Sequence, residues 1–146
     1  MQSILRLVTL FISLVSVAPL MAAPLIVAKE AALPSAAGVL ATRGISRGPS
    51  VKMASPEPDV AVNSPFDFKV VFEARGGDKI DPNSVKVIYM KSPFVDLTPR
   101  LKNAISANGI DFPKAEVPPG SHTIRITVKD TEGRETNSVQ TLVVNK

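Results

Sequence analysis

Between Phe66 and Ala74 every second residue is apolar, and no other feature limits the fold of this chain so tightly. Phe66, Phe68, Val70, Phe72 and Ala74 share one parity, while Asp67, Lys69, Glu73 and Arg75 take the other. Successive side chains of a strand point to opposite faces, so this pattern predicts a strand with one face in a core and one in water. The same period returns at Val85, Val87 and Tyr89, and again at Ile124, Ile126 and Val128 between Thr123, Arg125, Thr127 and Lys129. Gly76-Gly77-Asp78 and Asp81-Pro82-Asn83 mark a loop between the first two segments. Asp130-Thr131-Glu132-Gly133 reads as a hairpin loop, with Gly133 suited to a left-handed position.

Weaker strands are expected at Val51–Ala54, Asp59–Val62 and Ile110–Val117, and a last one at Thr136–Val144. Prolines around the first two suit a sheet edge, where a missing N–H does no harm. The last strand has mixed parity, which predicts a bulge or burial on both sides. Thr98-Pro99 resembles a helix start, with Leu101, Ala104 and Ile105 on one helical face and Asn108-Gly109 as its end. The chain is therefore expected to be all-β, an antiparallel sandwich of about seven strands with one short connecting helix.

The N-terminus follows different rules. No charge occurs from Leu7 to Ala28, Arg6 precedes the run, and Ala22, Ala23 and Ala28 offer small residues for cleavage. That is the build of a secretory signal peptide over residues 1–28, cut somewhere between 22 and 28. An uncleaved membrane anchor is the alternative; Pro19 and Pro24 interrupt the helix it needs. Residues 29–50 are rich in Ala, Gly, Ser and Pro, without an aromatic residue, and are expected to form a flexible linker to a domain spanning 51–146.

The segments Pro118-Pro119-Gly120-Ser121-His122, the alternating strand to Asp130, and Gly133-Arg134 resemble the late strands of bacterial immunoglobulin-like domains. Asp81-Pro82-Asn83-Ser84-Val85 and Val95-Asp96-Leu97-Thr98 are similar to exported members of that group. The resemblance covers residues 51–146. It implies an immunoglobulin-like sandwich used as an extracytoplasmic recognition or spacer module, usually joined to other domains.

Charge and composition narrow the function. The net charge of +4 owes three units to residues 29–52, where four bases face Glu30 alone; residues 53–146 are balanced. A nucleic-acid face needs a basic excess, so no nucleic-acid partner is expected. The chain has no Cys, which removes disulfides, thiol chemistry and a cysteine-linked lipid anchor. It has no Trp and a single Tyr89 of core parity, which disfavours a sugar platform.

His122 is the only imidazole. After Pro-Pro-Gly it is expected to hold the turn through a backbone hydrogen bond; a small hydrolase built around it is the least favoured reading, since no G-x-S-x-G elbow accompanies it. His122 with Met53 or Met90 is a thin ligand set for zinc or copper. Calcium needs only oxygen ligands, and Glu57, Asp78, Asp81, Asp130 and Glu132 are the candidates if the loops converge. Asp81 and Asp130 are equally explained as turn residues accepting backbone N–H bonds. The favoured reading is a non-enzymatic, cofactor-free, protein-binding or structural module of the bacterial cell envelope. It is expected in the periplasm or outside the cell, and to touch membrane only through an uncleaved N-terminal segment. A calcium-dependent adhesion module is the first alternative.

Overall fold

The computed structural model describes residues 21–38 and 46–146. They form ten strands: β1 (Ala23–Pro24), β2 (Ser50–Ser55), β3 (Ala61–Val62), β4 (Phe66–Glu73), β5 (Ile80–Tyr89), β6 (Val95–Asp96), β7 (Ile105–Ser106), β8 (Gly109–Glu116), β9 (Gly120–Asp130) and β10 (Glu135–Val144). Two short helices, α1 (Ala28–Ala31) and α2 (Thr98–Leu101), complete the set, α2 continuing as a 3-10 turn over Lys102–Ala104.

The strands make two sheets. One runs β1-β8-β4-β2, with β7 also on β8; the other runs β3-β10-β9-β5-β6. The all-β sandwich is as the alternation requires. In β4, Phe66, Phe68, Val70 and Phe72 are buried while Asp67, Lys69, Val71 and Glu73 are exposed. Across the interior, Val85, Val87 and Tyr89 of β5 and Ile124, Ile126 and Val128 of β9 supply the opposing layer. With each large apolar side chain worth roughly 1.5–3 kcal/mol on burial, this shared interior is what holds the two sheets face to face.

Two local expectations are corrected, and for the last strand one of its two alternatives holds. The helix after Thr98 is shorter than the pattern suggested: Ile105 and Ser106 turn extended and pair with Ile110 and Gly109, so Asn108-Gly109 closes a hairpin and ends no helix. Gly109 is required there, because at φ +147° a Cβ would lie 1.8 Å from the Val70 carbonyl oxygen. Strand β10 carries no bulge; its register with β9 is unbroken from Glu135–Lys129 to Val144–Gly120. Its mixed parity instead reflects half-burial on both faces from Ser138 to Thr141, while Leu142 and Val144 enter the core.

The second correction concerns the N-terminal boundary. A domain starting at Val51 with a flexible tether before it does not describe the described part of residues 21–50. Leu25 and Ile26 are core residues at 0% and 2% exposure. Strand β1 pairs in parallel with Ala115 and Glu116 of β8, and the Leu25 N–H donates to the Glu116 carbonyl at 3.0 Å. Arg100 of α2 then donates to the Leu25 carbonyl and to both Glu30 carboxylate oxygens. Further on, the Ala36 N–H bonds the Met90 carbonyl, and Gly48 and Pro49 are buried against the start of β10. An Ala-, Gly-, Ser- and Pro-rich composition suggested a linker over 29–50, but Leu25 and Ile26 just before it and the Glu30–Arg100 pair order its beginning. Residues 1–20 of the expected signal peptide and 39–45 of the expected linker lie outside the described residues. Among the described residues no helix is long and apolar enough to cross a membrane.

Candidate functional site

His122 enters β9 on its inward face and is 2% exposed. Its Nε2 lies 2.7 Å from the Pro118 carbonyl oxygen, which can only accept, so Nε2 carries the proton. The neutral ring then offers Nδ1 as an acceptor, and the Tyr89 hydroxyl donates to it at 2.8 Å. The backbone bond expected of this histidine is therefore made, and Tyr89 satisfies the other nitrogen. Burial pushes the His122 pKa below its ordinary value; the Pro118 bond works against that and the nearby Lys91 charge adds to it. Tyr89, fully buried, has its pKa raised by the same desolvation. A general base needs a free lone pair within reach of a substrate proton, and this imidazole has none to offer.

The five acidic candidates do not converge. Asp78 and Asp130 meet, but around Arg134: its Nε donates to Asp130 Oδ2 at 2.7 Å and its Nη2 pairs with Asp78. Asp130 is wholly buried, and its Oδ1 accepts the backbone N–H groups of Glu132 and Arg134. Asp81 Oδ1 accepts the Asn83 N–H, an Asx turn. Glu132 is exposed on the hairpin, and Glu57 lies beyond the end of β2, past Ser55–Lys69, whereas the Asp130 loop sits at the far end of the sandwich by Glu73. Among the described residues no group of three or more His, Cys, Asp or Glu can hold a metal ion. The expected calcium ligands are thus divided between a guanidinium, backbone donors and two ends of the fold.

A cleft of about 660 Å³ lies beside β1 and is walled by Pro24, Ile26, Pro65, Pro118 and Pro119, with Glu116 its one acidic side chain. Its Ser64 hydroxyl accepts the Val117 N–H and makes no hydrogen bond to Glu116. A smaller one of about 330 Å³ lies beside Lys91, Ser121 and Thr123.

A different surface stands out. On the outer face of β5-β9-β10 the register places Arg125 between Ile88 on one side and Val139 on the other. Phe94, 58% exposed, lies over the Arg125 guanidinium at 5.7 Å from ring centroid to Cζ. Arg125 makes no hydrogen bond or ion pair within the described residues, and its Nε is shut off from solvent with no partner. The parity of β9 had put Arg125 outward; its apolar neighbours depend on a cross-strand register that no local pattern carries. The outer face of the other sheet is more charged, with Lys52, Asp67, Lys69, Glu73 and Asp111 exposed around the exposed aliphatic Val71.

No family model, curated protein or solved structure matches this chain.

Proposed function

We propose that the protein is a non-enzymatic, exported module of the bacterial cell envelope that binds another protein, on a sandwich of immunoglobulin-like type. The strand order supports the type. A first strand divided between two sheets, β2 antiparallel to β4 and β3 parallel to β10, joins a β2-β4-β8-β7 layer facing β10-β9-β5-β6, an order that favours the immunoglobulin-like reading.

The observation that carries the binding reading is the uneven character of the two outer faces. One is mostly charged, with the aliphatic Val71 exposed among Lys52, Asp67, Lys69, Glu73 and Asp111. The other sets Ile88, Phe94 and Val139 around an arginine with no partner among the described residues, the aromatic, aliphatic and Arg mixture that concentrates binding energy at protein interfaces. Engagement of both His122 nitrogens supports a non-catalytic role.

Burial of Leu25 and Ile26 bears on export. A cut after Ala22 or Ala23 leaves both in the mature chain, whereas a cut after Ala28 strips two side chains from the core. Periplasmic or extracellular location with a mature N-terminus at Ala23 or Pro24 is the reading these residues favour. Cell fractionation with mass determination of the mature protein tests it. Photo-crosslinking from position 94 in intact cells tests binding: a discrete partner adduct is expected, and its absence under every growth condition refutes the reading.

A further inference from the structure

Resting on that protein-binding reading, we infer that the outer face centred on Arg125 docks a protein segment carrying a carboxylate between apolar side chains. A guanidinium has five N–H donors and no acceptor capacity, and here none of the five is satisfied by the described residues. Left in water alone, such a group is solvated at no cost, but the Arg125 Nε is withdrawn from solvent. A buried donor without an acceptor is a standing penalty, relieved when an acceptor arrives from outside.

The surroundings select the acceptor. Phe94 covers the cation, and the row Val139–Arg125–Ile88 flanks it with aliphatic surface, so a closing partner dries the pair and strengthens it. Two-pronged planar donors match a carboxylate. The remaining charges agree in sign. Lys129 is already paired with Glu135 at 3.4 Å, while Lys86, one register step from Arg125 beside Thr127, is exposed and makes no ion pair among the described residues. Asp96, across from Ile88, accepts the Thr98 N–H and does not reach Arg125. A free cation with apolar flanks fits an acidic segment with hydrophobic neighbours better than a polyanion, which would need a continuous basic track. A second copy docking this face about a two-fold axis at Arg125 would set two guanidinium groups against each other.

The test is selection of displayed short random peptides on the immobilised full-length protein, followed by affinity measurement of the strongest binder against substituted proteins. Selected peptides are expected to carry Asp or Glu next to aliphatic or aromatic residues. Arg125→Gln should weaken the strongest by about tenfold to a hundredfold, the range of a lost charge-assisted hydrogen-bonded pair. Phe94→Ala should weaken it several-fold, and Lys69→Gln on the opposite sheet should leave it unchanged. Thermal melts of the variants confirm that each remains folded. Binders without acidic residues, or an affinity indifferent to Arg125→Gln, overturn the inference; if such binders map to the open edge of β2 or to the end loops, protein binding itself stands. Self-association in sedimentation that Arg125→Gln abolishes makes a second copy the occupant and also overturns it. No selected peptide and no self-association overturns this inference and the reading beneath it together.

Discussion

A chain beginning at Lys29 should be far less stable than one beginning at Ala23, although the two differ by six residues in a segment of leader-like composition. The shorter chain lacks Leu25 and Ile26, exposed at 0% and 2% in the fold. Each contributes roughly 1.5–3 kcal/mol through burial, so the loss is about 3–6 kcal/mol before any cavity is counted. Ordinary domains are stable by roughly 5–15 kcal/mol, so that is a large fraction of the whole. At roughly 4 °C per kcal/mol for a domain of this size, the melting temperature should fall by about 12–24 °C. Circular dichroism melts of the two chains, with Leu25→Ala in the longer one, measure it. Leu25→Ala alone should cost about 2–5 kcal/mol. Melting temperatures within about 4 °C of each other would refute the claim that these residues complete the core.

Other outcomes follow from the same packing. Phe68→Ala removes a fully buried ring from the middle of β4 and should cost about 3–5 kcal/mol in urea unfolding. Asp130→Ala leaves the Glu132 and Arg134 N–H groups without their acceptor and should cost about 2–3 kcal/mol, while added calcium leaves the native melt unmoved. For His122 the sign follows from its lowered native pKa: the unfolded chain binds the proton more readily, so stability is full above about pH 6.5 and declines as pH falls below it. Urea midpoints between pH 7.5 and 5.5 should show that slope, and His122→Gln should remove it; a slope unchanged in that variant refutes the assignment.

Much of the sandwich was legible because alternation is local. Phe66 to Ala74 and Thr123 to Lys129 disclose their inner face without reference to any other part of the chain. Legibility ended where meaning depends on a partner far along the sequence. The Glu30–Arg100 pair spans 70 residues, and the Arg100 contact holds the Glu30 carboxyl below its ordinary pKa. Nothing in the surrounding Ala-rich stretch announces that pair. Leu25 and Ile26 were hidden differently: at the end of an apolar run, hydrophobicity alone cannot separate a core residue from a leader residue. Thr98-Pro99 did mark a helix start, but the Thr98 hydroxyl accepts the Val87 N–H and does not cap the helix, which ends before Ile105 turns extended. The Arg125 face was half-legible, since parity gave its direction but only register gave its company.

The Arg134 contacts have a mechanical consequence. Asp78 belongs to the crossover that carries the chain from one sheet to the other, whereas Asp130 and Arg134 belong to the final hairpin. One guanidinium, aimed by Asp130 of its own hairpin, thus ties that hairpin to the crossover, and parting the two must break the Arg134–Asp78 pair. The opposite end adds neutral bonds such as Asn145–Asn63 and Val117–Ser64 to the Arg100 contacts with Leu25 and Glu30, so it too is clasped. Buried and doubly bonded, Asp130 should make the amides it accepts from, those of Glu132 and Arg134, slow to exchange for so exposed a hairpin.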